Sequence, residues 1–181
     1  MNHEKAFLEL IKPSEFFRNQ IASITETNNI KIEDYVEFYL VTLLCDFIEP
    51  TKITQLEDIN ILETPLAIML KKGLEADLNT QIKIFKCMGD TSLYFSGYFQ
   101  KYFNRKTIDA EYYISMGITA FNKVADIMRR KYNENHFFLM YRNLANEFRI
   151  LVDIISIFSK KIGQSNIDPN ILDKPFFNNH D

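Results

Sequence analysis

From Phe137 to Phe158 the large apolar residues fall at Phe137, Tyr141, Leu144, Phe148, Leu151, Ile155 and Phe158, alternately four and three apart. On a helix of 3.6 residues per turn that walk stays on one stripe, whereas on a strand it would scatter over both faces, so it reads as the seam of a helical bundle. Met140, Val152, Ile154 and Ile157 add a second stripe. A helix that is apolar on two sides packs against more than one neighbour, and the rest of the chain has to supply those neighbours.

It does so as further helices. Five Gly and five Pro are the only strong breakers in 181 residues, and they divide the chain into long uninterrupted segments. Phe7 to Ile11 predicts a short helix stopped by Pro13, and Pro13-Ser14-Glu15 opens a second that fades between Thr25 and Asn29. A third runs from about Lys31 to Ile48, before Pro50, and is apolar almost all round, as expected of a central element. Residues 49–63 make a connection of undefined shape. Thr64-Pro65 reads as an N-cap followed by proline at the first helical position, opening a helix to about Ala76. Helices over 78–104, 108–132 and 134–162 follow, the last stopped by Gly163. The expected fold is therefore an all-α, single-domain bundle of about six or seven helices over 1–162, with 163–181 as a poorly structured tail rich in Asn, Asp and Pro.

Composition excludes several classes of function. Sixteen Phe and nine Tyr carry far more buriable surface than a disordered chain. A formal net charge of −3 leaves no broad positive field for a phosphate backbone, so no nucleic acid partner is expected. Lys71-Lys72, Arg129-Arg130-Lys131 and Lys160-Lys161 lie near predicted helix ends, where cations favour the dipole and face water. No apolar run approaches the roughly 20 residues that span a bilayer, and the N-terminus lacks a signal-peptide core. Cys45 and Cys87 stand alone in apolar stretches without a His at ligand spacing, as buried thiols of a reducing compartment do. Those features place the chain in the cytoplasm.

The informative centre is a pair of seams. Along 78–104 the walk passes Leu78, Ile82, Phe85, Gly89, Ser92, Ser96, Phe99 and Phe103; along 108–132 it passes Tyr113, Gly117, Ala120, Val124 and Ile127. Both are small in the middle. A tight turn near Asn104 to Lys106 would make the helices antiparallel and put Ser92 level with residue 119 and Ser96 level with 115, so the small patches coincide. Two readings follow. Either Gly89, Ser92, Ser96 and Gly97 let the backbones approach Gly117 and Ala120, or the missing side chains leave a cavity for an apolar or aromatic ligand, walled by Tyr94, Phe95, Tyr98, Phe99, Tyr113 and Phe121. Close packing is preferred, because an empty space in a small core destabilises it.

Asp90 is the ionisable residue that most needs explaining, since it sits among apolar neighbours and a buried carboxylate needs a partner or a raised pKa. The candidates are Arg105 and Lys106 in the turn and Arg142 and Arg149 on the last helix. Arg105 is fifteen positions on, about 22 Å along a helix, which favours the last helix. Asp109 reads as an N-cap or as a first-turn anion after Thr107. His136 has no ligand-spaced companion, and a di-iron bundle, a phosphate loop, a Gly-x-Ser-x-Gly elbow and His-Glu-x-x-His are all missing, so no catalytic residue, metal or cofactor is assigned.

The stretch Gly89-Asp90, Phe95-Ser96-Gly97-Tyr98-Phe99, Arg105-Lys106, Asp109, Tyr112-Tyr113-Ile114-Ser115-Met116-Gly117 and Ala120, within residues 87–125, resembles a pattern found in a family of uncharacterised bacterial all-helical proteins. The resemblance implies a bacterial origin and makes the small-residue hairpin the signature of the group; it implies no activity. The expected function is non-enzymatic: contacts with a protein partner, or self-association as a homo-oligomer, because helices this apolar in so short a chain can find their last neighbour in a second copy. The alternative is a small-ligand binder or helical enzyme using the cavity between 78–104 and 108–132, with Asp90, Ser92, Ser96, Tyr98 and Tyr113 as its contacts.

Overall fold

Proline and asparagine set where the first helices start and stop. In the computed structural model, which describes residues 12–48, 55–56, 59–60, 64–99, 109–133 and 135–164, α1 spans Pro13–Thr27 with its proline in the first turn. It ends because Asn29 takes a left-handed φ of 51°, which lets Asn29 N–H donate to Glu26 O and Ile30 N–H to Thr25 O. That pair of bonds closes a Schellman motif and turns the chain back. α2 follows at Asp34–Ile48 and α3 at Leu66–Glu75. α4 spans Leu78–Tyr98, opened by the Asp77 carboxylate accepting from the Asn79 and Thr80 amides. α5 spans Ala110–Tyr132 and is capped by Asp109, the first of the two roles its sequence position allows. α6, His136–Asn146, and α7, Phe148–Gln164, complete seven helices among the described residues. The domain is all-α and single.

Several boundaries differ from expectation. The single helix expected over 134–162 is two, interrupted at Glu147, whose ψ of 6° departs from helical geometry. The apolar walk continues through the break, so periodicity does not reveal it. Gly163 lies inside α7 rather than stopping it, and Pro65, not Thr64, is the N-cap of α3, without a side-chain bond. Gln55–Leu56 pairs antiparallel with Ile59–Asn60, a two-residue ladder in the connection whose shape the sequence left undefined. The helix expected at Phe7 to Ile11, the turn at Asn104 to Lys106 and the tail from residue 165 lie outside the described residues.

α4 and α5 are antiparallel, as the seams predict. Gly89 faces Phe121, Ser92 faces Gly117, and the Phe95 and Tyr113 rings stack with centroids 6.1 Å apart. The register places Ser92 level with 117 instead of 119. α6 runs back along α5, tied by Arg142 to Asn122 and Asp126, and α7 continues past Gly117 to reach Gly97. α1 and α2 cover this layer: Phe17 meets Phe158 edge-on, and Phe47 stacks on Tyr94 with centroids 3.9 Å apart.

α2 is not the central element that its composition predicts. Val36, Leu40, Val41, Leu43, Leu44 and Phe47 are buried, but Tyr35 and Thr42 are exposed and Phe38 is 66% exposed. One face packs on the bundle; the other carries apolar side chains into solvent.

Candidate functional site

The small seam proposed as a cavity is filled by two rings. A Cβ on Gly89 would fall 2.6 Å from Phe121 Cδ1, and one on Gly117 would lie 2.5 Å from Phe148 Cε2 and 2.9 Å from Ser92 Cβ. Phe121 and Phe148 are fully buried there, each contributing about 2–3 kcal/mol of burial, which offsets the roughly 1 kcal/mol cost of a mid-helix glycine. Gly97 plays the same part for α7, whose Ile155 Cβ would be 2.6 Å from a Cβ at that position. The missing side chains of α4 and α5 thus leave room for Phe121 of α5 and for Phe148 and Ile155 of α7.

The residues proposed to contact a ligand do not converge. Ser92 and Ser96 are fully buried; Ser96 Oγ donates to Ser92 O at 2.6 Å, back-bonding to its own helix, and Ser92 Oγ is enclosed without a hydrogen-bond partner beside Gly117. Tyr98 stacks on Tyr94, 5.2 Å between centroids, and Tyr113 on Phe95, within one aromatic cluster that Phe47 and Phe99 extend. Burial raises the pKa of the Tyr113 hydroxyl, with Tyr112 adding to it. Asp90 faces elsewhere, toward α2.

There it meets partners other than the four proposed. Lys86 Nζ donates to Asp90 Oδ2 at 2.6 Å from one turn earlier on α4, and Tyr39 Oη, from α2, donates to Asp90 Oδ1 at 2.6 Å. Arg142 pairs with Asp126 at 2.7 Å and Arg149 grips Glu111 with two bonds of 2.7 Å, so neither serves Asp90; Arg105 and Lys106 lie outside the described residues. The Lys86 ammonium also sits 5.5 Å from the centroid of the Tyr39 ring, a cation–π distance, while the edges of Phe121 and Tyr141 enclose that ring. Lys86 was legible as an i, i+4 partner. Tyr39 was not, because its bond spans 51 positions of sequence.

The electrostatics follow from that enclosure. With its side chain only 15% exposed, Asp90 has a carboxyl raised by burial and held back by Lys86 and Tyr39. Asp90 in turn raises the Lys86 pKa, and burial raises the Tyr39 hydroxyl well above its ordinary value, with Asp90 adding to it. Tyr141 is pushed up to about 12, first by burial and then by Asp90. Burial likewise takes the Cys87 thiol to about 12, so it is not a nucleophile at neutral pH. Lys86 and both tyrosines keep their protons at neutrality. The cluster holds α2 to α4.

A second feature had no sequence signal. Where α1 turns into α2 beside the α6–α7 break, an open groove of about 510 Å³ is floored by Ile30 and Ile32 and rimmed by Glu33, Asp34, Glu37 and Glu147. Its cation is Lys31; Arg18 reaches Glu37 only at 3.8 Å. Glu147 Oε2 is enclosed with no hydrogen-bond partner, and burial, then Glu33, raises its carboxyl pKa. No group of His, Cys, Asp and Glu among the described residues has the geometry to hold a metal ion. No helix among them is long and apolar enough to cross a membrane. Comparison of the chain with family models, curated proteins and solved structures gives no match in any of the three.

Proposed function

We propose that the protein acts by binding another protein chain through the face that α2 and α6 present to solvent, and not by catalysis. The observation that carries this reading is Phe38, 66% exposed on a helix whose opposite face is buried. Tyr35, on the same side one turn earlier, and Leu139 on α6 are also exposed. An isolated surface Leu needs no explanation, but neighbouring exposed aromatics on one helix face mark a contact site. Asp90, the residue with the strongest claim to chemistry, is engaged by Lys86 and Tyr39. The ligand-binding alternative between α4 and α5 would need the Phe121 and Phe148 rings to leave the positions over Gly89 and Gly117. A cytoplasmic location and the bacterial family pattern of residues 87–125 belong to the same proposal.

The test is affinity capture from the protein's own cells with the wild-type chain and with Phe38→Ser. Loss of a captured protein in the variant at an unchanged melting temperature supports the contact face. Identical capture by both chains, or capture of nothing by either, counts against it.

A further inference from the structure

The surface over α6 is ordered from end to end. At its start the Arg129 guanidinium lies 5.9 Å from the Phe138 ring centroid, with Arg130 exposed beside it at the end of α5, while Lys131 turns away to donate to Asn79 Oδ1 at the start of α4. Asp126 is engaged by Arg142 at 2.7 Å and lies 4.0 Å from Arg129, which leaves this end positive. In the middle, Leu139 is exposed, and Asn143 donates to the Tyr35 hydroxyl, bringing α2 with Tyr35 and Phe38 alongside. At the far end Glu147, whose amide donates to Asn143 O, joins Glu33, Asp34 and Glu37 around the acidic groove. α6 has 11 residues, so the two charged ends stand roughly 16 Å apart.

A stripe that is positive at one end, apolar in the middle and negative at the other is complementary to itself when rotated by half a turn. We propose that this face pairs with the same face of a second copy, the two-fold axis passing near Phe38 and Leu139, so that each acidic groove receives the other copy's Arg129-Arg130 end. The proposal rests on the contact-face reading above and names its occupant. A second copy is favoured because both halves of the charge complement are present on one chain, and because the groove sets four carboxylates, Glu33, Asp34, Glu37 and Glu147, against Lys31 alone among its lining residues. The first-turn carboxylates Asp34 and Glu37 also complement the α2 dipole, but that does not account for Glu147 on another helix.

The experiment is sedimentation of the full chain, alone and in charge-reversed variants. The wild type is expected to dimerise at about 100 μM or below and to weaken by roughly tenfold or more between about 50 and 500 mM salt. Glu33→Lys and Arg130→Glu each place like charges across both ends of a homodimer, and each is expected to weaken it by at least about tenfold. Mixed one to one, the two variants restore opposite charges at both ends, so a heterodimer of near wild-type strength is expected; circular dichroism checks that both are folded. A wild type that stays monomeric, a mixture no tighter than either variant alone, or species growing beyond the dimer would overturn the proposal. If the wild type is monomeric and Phe38→Ser still loses a captured protein, only the second copy is wrong; if Phe38→Ser loses nothing either, the contact face falls with it.

Discussion

α4 is held on its two sides by different means. Toward α5 its middle is held sterically: Gly89 and Ser92 leave room that Phe121 and Phe148 occupy, while the bond from Lys131 Nζ to Asn79 Oδ1 lies at the exposed ends of the two helices. Toward α2 it is polar and specific: Asp90 takes one bond from Tyr39 and one from Lys86, within a ring of aromatic edges. The first arrangement tolerates no added atom, because backbone and ring planes are already in contact. The second tolerates added volume but not a missing partner, since a buried oxygen that loses its bond bears the full desolvation penalty. Packing and polar satisfaction therefore fail in opposite directions.

The largest effect is expected on the steric side. Gly→Ala in a helix interior usually gains up to about 1 kcal/mol, but Gly117→Ala would put a methyl onto the Phe148 ring and the Ser92 Cβ. A net loss of about 3 kcal/mol is expected, the upper range for overfilling a packed core. Denaturant unfolding measures it. A neutral or stabilising Gly117→Ala would mean that Phe148 moves aside easily, and the contrast between the two faces would disappear.

This side was legible in the sequence because it is periodic. Gly89, Ser92, Gly117 and Ala120 lie on four-and-three walks, and antiparallel pairing of the two segments brings them level to within two residues. What periodicity cannot report is which ring enters the gap: Phe148 comes from the helix beyond the Glu147 break, and the walk runs through that break without a mark. The polar side was half legible. Asp90 stands out in an apolar run and Lys86 is at helical pairing distance, whereas Tyr39 and the acidic groove are brought into place by tertiary packing alone. α2 was misread because its composition is apolar all round, and composition does not distinguish a buried helix from one with an apolar face toward solvent.

On the polar side the two halves of the ion pair are expected to differ. Asp90→Ala leaves the Tyr39 hydroxyl enclosed without its acceptor, and a loss of about 2 kcal/mol is expected. Lys86→Met leaves the Tyr39 bond but takes the donor from Asp90 Oδ2; because that carboxyl is already raised by burial and can take up a proton instead of staying charged, a smaller loss of about 1 kcal/mol is expected. Equal losses from the two variants would show that charge pairing, not the enclosed hydroxyl, holds α2 to α4. Tyr39→Phe, which removes the donor while keeping the ring, separates the bond from the aromatic packing.

Alkaline titration sharpens the same point with a slope instead of a single value. The Tyr141 hydroxyl ionises near 10 in an unfolded chain and is pushed up to about 12 in the fold. Below pH 10 the hydroxyl is protonated in both states and stability does not depend on its titration; as pH rises from 10 toward 12 the unfolded chain ionises first and stability falls at about 1.4 kcal/mol per pH unit. Lys86 and Tyr39, also raised, act with the same sign. Tyr141→Phe is expected to reduce the alkaline slope by that one proton while leaving stability at pH 7 to 9 little changed. An unaltered slope would mean that the hydroxyl reaches water before the protein unfolds.

The smallest effect is expected where the geometry looks strongest. Arg149 and Glu111 make two bonds of 2.7 Å between α7 and α5, yet their side chains are 60% and 55% exposed. Solvent screens both charges in either state, and ordering two mobile side chains offsets most of the attraction. Glu111→Gln is expected to leave the melting temperature unchanged within error at ordinary ionic strength, although Arg149 lowers the Glu111 pKa in the fold. Differential scanning calorimetry at low and high salt checks this. A clear drop in melting temperature at both would show that the bidentate pair fixes the angle between α5 and α7, and that the polar contribution to the fold is not confined to the enclosed contacts of Asp90.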